Sequence, residues 1–106
     1  MDFFPDLKVR QKIMVARRGE KEWFFSTIQD IRDGELFIEQ PRQRERVLVF
    51  HPGEEVEVRI TGENASYVFF TRVLGRTRDQ IPLYRLAPPE TIQRVQQRRF
   101  VRFPVS

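Results

Sequence analysis

Glu54-Glu55-Val56-Glu57-Val58-Arg59-Ile60-Thr61 is the stretch on which the fold turns. In an extended chain Val56, Val58 and Ile60 project to one side and Glu55, Glu57 and Arg59 to the other, which is the period of two expected of a half-buried β-strand. Gly62-Glu63-Asn64 then turns the chain into residues 65–75. There both faces carry apolar side chains, with Tyr67, Phe69 and Val73 against Val68, Phe70 and Leu74. Such a strand is central in its sheet, or curls around a barrel with both faces covered.

Working outward, residues 11–17 read as a first strand with Ile13 and Val15 on one face, closed by the turn Arg18-Gly19-Glu20. Residues 23–31 are rich in aromatic and β-branched side chains. The Asp33-Gly34 pair that follows is a strong hairpin signal, because a type I′ turn needs positive φ at both central positions. Residues 35–39 are then the return strand, Leu36 and Ile38 facing one way and Phe37 the other. Residues 41–46 are too charged for a buried element and are expected to be a loop, and residues 47–50 a short strand or irregular edge closed by His51-Pro52-Gly53. Toward the C-terminus, residues 76–80 are expected to be another polar loop and residues 81–86 a last strand, which Pro82 marks as an edge at its start. Pro88-Pro89 ends that strand. Ile92, Val95 and Gln96 sit at helical spacing, so a short helix over residues 89–97 is expected, and Pro104 obliges any helix to end by Arg102.

Six strands in hairpin succession predict an all-β fold, a small antiparallel six-stranded (split) barrel or sandwich with a short C-terminal helix or linker. The expected core includes Ile13, Val15, Ile28, Leu36, Val56, Val58, Ile60 and Phe69. With 106 residues, the chain suits one domain. A hydrophobic content of 40% beside 32% charged residues is that of a folded globular chain and too apolar for a disordered one.

The absence of cysteine excludes disulfides, thiolate metal sites and cysteine nucleophiles. Apolar runs are far too short to span a bilayer, and the N-terminus lacks the basic and apolar regions of a secretory signal, so a cytoplasmic protein is expected. Phe3-Phe4 reads as a hydrophobic tether under the domain. An enzyme is not expected: Ser26, Thr61 or Ser66 would need a base, and His51, the one histidine, precedes Pro52 in a turn. Glu54, Glu55 and Glu57 read as a solvated strand face, and Gly34, Gly53, Gly62 and Gly75 form no phosphate-cradling pattern. No cofactor and no metal site are expected.

Charge is distributed unevenly. The nineteen Lys and Arg residues exceed the fifteen Asp and Glu by four, every acidic residue lies at or before Glu90, and Arg94, Arg98, Arg99 and Arg102 follow it. Basic tails are commonly solvated or loosely drawn to any polyanion. Here Phe100, Val101, Phe103 and Val105 alternate with the arginines, which is the character of a segment that docks. Guanidinium groups suit phosphate oxygens and the O6/N7 edge of guanine, and they stack on base faces.

The run RRFVR at residues 98–102, followed by Phe103 and Pro104, resembles the opening of a PilZ domain, whose RxxxR motif grips the bacterial second messenger cyclic di-GMP. Arg98 and Arg102 match the motif arginines, and Arg99 the frequent second arginine. The preceding hundred residues resemble the N-terminal domain of YcgR-like flagellar brake proteins in their short β-domain, in the aromatic strand Tyr67-Val68-Phe69-Phe70-Thr71 and in the Pro-Pro-Glu-Thr-Ile-Gln segment at residues 88–93. The resemblance implies a YcgR-like barrel domain over residues 1–90, and a linker and PilZ start over residues 91–106. It implies a non-catalytic cyclic di-GMP effector that regulates motility through the flagellar motor or stator proteins, to which it would be recruited. Arg98 and Arg102 would contact phosphate and guanine, with Arg99 in support. The family's second motif, D/N-x-S-x-x-G, does not follow. The chain is therefore expected to be a fragment ending just inside the next domain, or a natural protein that lost it, and not to bind the messenger by itself.

A second reading is a small barrel that binds RNA or single-stranded DNA through its basic tail and through Trp23, Phe24, Phe25, Phe37, Tyr67, Phe69 and Phe70. Core packing is the stronger account of those aromatics. The part before the tail has no net positive charge, although Arg42, Arg44 and Arg46 form a local exception, and no specific nucleic-acid partner is expected. A flavin- or nucleotide-dependent split-barrel enzyme is a third reading, for which catalytic groups are missing.

Overall fold

The computed structural model describes residues 7–61, 65–78 and 81–96. Its elements are β1 (Lys12–Arg17), β2 (Phe24–Arg32), β3 (Glu35–Glu39), β4 (Arg42–Gln43), β5 (Arg46–Val47), β6 (Glu55–Thr61), β7 (Ala65–Arg78), β8 (Pro82–Leu86) and β9 (Ile92–Gln96). Strands β1, β6, β7, β8, β3 and β2 are hydrogen-bonded in that order, and β2 pairs back onto β1, closing a six-stranded antiparallel barrel. Closure removes most of the sheet edges that would otherwise offer unpaired backbone groups.

The alternation read from β6 is present in full. Val56, Val58 and Ile60 are completely buried and meet Ile13, Val15, Ile28, Leu36, Phe69 and Tyr84 in one core. β7 is long because it serves two walls: Ser66–Arg72 pairs with β6, and the stretch from Val73 onward pairs with β8. Its register shifts between Val73 and Gly75, and that of β2 between Ile28 and Asp30. Bulges of this kind raise the local twist and let a flat ladder turn a barrel corner.

Asp33 and Gly34 both take positive φ, 52° and 82°, as the β2–β3 hairpin requires. A Cβ at position 34 would also come within 3.3 Å of the Pro88 side chain, so this glycine satisfies both a turn and a close approach. The expected split of β3 into two faces is only partly realised. Leu36, Phe37 and Ile38 are all buried, because the Arg32 guanidinium lies 5.1 Å from the centre of the Phe37 ring and covers its outer face.

Three expectations are corrected. Residues 76–78, expected in a polar loop, continue β7 and pair with Tyr84, Leu83 and Pro82 of β8. The loop over residues 41–46 contains the short ladder of β4 and β5, which Arg44 makes possible by adopting φ 58°, and β4 continues the sheet by pairing Arg42 with Phe25. Beyond it Leu48 and Phe50 are buried, and Phe50 N–H donates to the Tyr84 hydroxyl at 3.0 Å, closing that end of the core. The helix expected over residues 89–97 is not formed by the described residues among them: Ile92–Gln96 is a strand, antiparallel to Ala65–Phe69. Helical spacing of Ile92 and Val95 gave no continuous apolar stripe, whereas the free side of β7 needed hydrogen-bonding partners and Ile92 gained contact with the core. Phe3-Phe4 lies outside the described residues. Among the described residues no helix is long and apolar enough to cross a membrane.

Candidate functional site

β9 carries the chain along the outside of β7 toward its basic end. Ile92 pairs with Phe69 and packs on the core, Arg94 pairs with Tyr67, and Gln96 pairs with Ala65 at the start of β7. Alternation along a strand puts Gln93 and Val95 on the outer face, and both are exposed. Arg98, Arg99 and Arg102 lie outside the described residues, beginning two positions after Gln96.

The connector from β8 to β9 is fixed to β7. Ala87 N–H donates to Arg72 O at 2.9 Å, and the Thr71 hydroxyl donates to Ala87 O at 2.6 Å. Beside it lies a cleft of about 330 Å³ lined by Arg18, Glu55, Phe70, Thr71, Arg72 and residues 87–91 apart from Pro89. Phe70, 45% exposed, forms its apolar floor, and the Arg18 guanidinium stands 4.7 Å from its ring centre while Nη1 donates to Glu55 Oε1 at 3.1 Å. Next to it Arg17 pairs with Glu54 at 3.3 Å. The cleft therefore offers a cation–π stack and hydrogen-bonding groups with its charges largely compensated, an arrangement for holding a flat or polar surface.

Among the residues considered for catalysis, Ser26 has a structural partner. Ser26 is buried and its hydroxyl donates to Glu39 O at 2.7 Å, and His51 is exposed in its turn. Among the described residues no three His, Cys, Asp or Glu side chains gather as a metal site. The aromatics divide: Phe24, Phe37 and Phe69 are buried, whereas Phe25 is 59% exposed and Phe70 45%. Composition could not make that division, because it depends on which face of each strand looks inward.

The barrel itself is a known arrangement. Residues 8–89 match the family model PilZNR, described as flagellar protein YcgR. The chain belongs to that family. The match spans β1 to β8 and stops before β9, so the barrel is what this YcgR-type domain consists of, and β9 and the arginine run lie beyond the matched residues. Among solved structures, the chain is similar to one titled as the Bacillus subtilis inhibitor of motility MotI/DgrA, with a TM-score of 0.73 and 25% identity over 90% of this chain. It covers 49% of that protein, so the chain spans about half the length of its structural relative. No curated protein matches the chain in sequence.

Proposed function

We propose that the chain is the N-terminal barrel and linker of a non-catalytic cyclic di-GMP effector that regulates flagellar motility through protein–protein contacts. Residues 1–90 are the barrel domain in this reading, and residues 91–106 lead into a PilZ domain. Arg98 and Arg102 grip phosphate and guanine, and Arg99 supports them by phosphate contact or stacking. The protein works in the cytoplasm and is recruited to the flagellar motor or its stator. The observation that carries the reading is the coincidence of a YcgR-type match over residues 8–89 with RRFVR at residues 98–102. The mechanism needs only differential binding: a dianionic ligand held between β9 and a following domain resets the angle between two rigid parts and shifts the population of orientations. The fixed connector at Ala87 and the β9–β7 ladder support that role, because they hold the entry to the arginine segment against the barrel.

Calorimetry tests it. A protein in which this chain runs into a PilZ domain bearing D/N-x-S-x-x-G should bind cyclic di-GMP and reject linear and adenine analogues, while the 106-residue chain alone binds weakly or not at all. Arg98→Ala or Arg102→Ala in the longer protein should each remove charge-assisted hydrogen bonds worth about 1.5 to 3 kcal/mol, a roughly ten- to hundredfold loss. Binding that ignores both arginines would leave the basic tail as a general polyanion contact.

A further inference from the structure

Register joins residues that are far apart in the sequence into one transverse row. Val47 on β5 stands opposite Arg42 on β4, Arg42 opposite Phe25 on β2, and Phe25 opposite Met14 on β1. Met14 stands opposite Arg59 on β6, Arg59 opposite Val68 on β7, and Val68 opposite Gln93 on β9. Directly opposed residues share a face, and each of these is exposed or half-buried, so the row lies on the outside of the barrel. It places the cations Arg42 and Arg59 among apolar groups. Phe25 is 59% exposed and Val47 45%, and Trp23 holds the Arg59 guanidinium 5.0 Å from its ring centre. Lys12, two positions from Met14 on the same face of β1, adds a further exposed cation. Glu57 stands 3.7 Å from Arg59 and offsets part of that charge, and among the described residues no ion pair engages Arg42 or Lys12.

We infer that this row is a docking surface for a partner protein segment that presents carboxylates flanking apolar side chains. Exposed Phe25, Arg42 and Arg59, with half-buried Met14 and Trp23 beside them, belong to the residue types that dominate protein-interface energetics. The charge selects among occupants. A second copy of the chain would set this cationic face against itself, and residues 97–106 bring Arg98, Arg99 and Arg102 with no carboxylate. Nucleic acid is disfavoured because Lys12, Arg42 and a partly neutralised Arg59 are few cations for phosphate neutralisation, and Val47, Met14 and Val68 offer phosphate nothing. The row crosses about six inter-strand spacings of roughly 4.8 Å, some 29 Å along the surface, which an extended segment of about nine residues spans. The inference rests on the proposed function only in taking the chain for a partner-binding module, and it needs no nucleotide.

The test is an NMR titration of the 106-residue chain, without nucleotide, using a synthetic peptide of about twelve residues that alternates Glu with Leu, long enough for the row. Shifts should concentrate at Met14, Phe25, Arg59, Val68 and the Trp23 indole. Phe25→Ser together with Arg59→Glu should weaken binding about tenfold or more, the loss of one central anchor, with His51→Gln as a neutral control. A Lys–Leu peptide should bind poorly to the natural chain and gain affinity for Arg42→Glu/Arg59→Glu, a charge exchange that an unfolded variant cannot mimic. Shifts elsewhere or none, unchanged affinity in the double variant, or tighter binding of a twelve-nucleotide oligo-dT would overturn the surface. Since cyclic di-GMP is absent, these failures leave the calorimetric test of the arginines untouched.

Discussion

β6 and β9 flank the same strand and differ in what they deliver. β6 pairs with Ser66–Arg72 and sends Val56, Val58 and Ile60 into complete burial, whereas β9 pairs with Ala65–Phe69 and sends in only Ile92, half-buried, leaving Gln93, Arg94 and Val95 exposed. Both satisfy the backbone of β7 with the same kind of ladder. The energetic difference therefore lies in side-chain burial, worth about 1.5 to 3 kcal/mol for each fully buried aliphatic residue. Hydrogen bonding places a strand beside β7, and burial makes it part of the barrel. β9 therefore adds less to the stability of the barrel than β6 does.

The comparison is broken most severely at its centre. Val58→Asp puts a carboxylate into the completely buried position opposite Val15 and Phe69. A cost above about 4 kcal/mol is expected, enough to unfold a marginally stable domain, and circular dichroism should show the loss of the β-signal. Next comes Gly34→Ala, which acts where barrel and β9 connector touch. It forces alanine to φ 82° and brings its Cβ to 3.3 Å from Pro88, so about 1 to 2 kcal/mol is expected from the backbone conformation alone. A single cooperative melt shifted downward would show that the connector belongs to the barrel unit. Two separate transitions would divide it from the barrel.

How far residues announced this arrangement follows the same division. β6 and the Asp33-Gly34 hairpin were readable because their determinants are local: alternation over seven residues and a turn that demands positive φ. The core residues followed from the alternation. β9 reads as a helix in the sequence because five residues, Ile92–Gln96, carry too little pattern to choose, and the unpaired side of β7 makes the choice. The β4–β5 ladder escaped for the same reason, its strands being two residues each. The RRFVR run is readable as a motif but lies outside the described residues. The exposed row from Val47 to Gln93 was illegible, since it exists only once the register of every intervening strand is known.

A gentler probe acts on β9 itself. Ile92→Ala removes part of a half-buried side chain, so about 1 kcal/mol is expected, less than the 2 to 5 kcal/mol for a fully buried Ile→Ala change. Native-state hydrogen exchange should place the loss in the β9 amides and in those of Ala65–Phe69 that pair with them, leaving β3 and β8 protected. Uniform loss of protection across the barrel would mean that β9 is as integral as β6.

The smallest effect is expected on the outer face of β6, where the contrast with Val58 is a matter of one residue. Glu57 stands opposite Ala16 and Phe70 and lies 3.7 Å from Arg59 across an exposed strand surface. Its side chain is only 17% exposed, more covered than the alternation alone predicts, so its replacement is not wholly neutral. Glu57→Lys removes a weak ion pair and sets a cation beside Arg59, but a lysine stem can lie along Phe70 while its ammonium reaches water. These opposing terms leave a loss under about 1 kcal/mol, which for a domain of this size lowers the melting temperature by less than about 8 °C, and added salt should shrink the difference. At the docking row the same substitution frees Arg59 and adds charge, so the Glu–Leu peptide should bind this variant more tightly. A melt as damaging as that of Val58→Asp would show that position 57 belongs to the buried side, and that the two faces of β6 are not the inside and outside of the barrel.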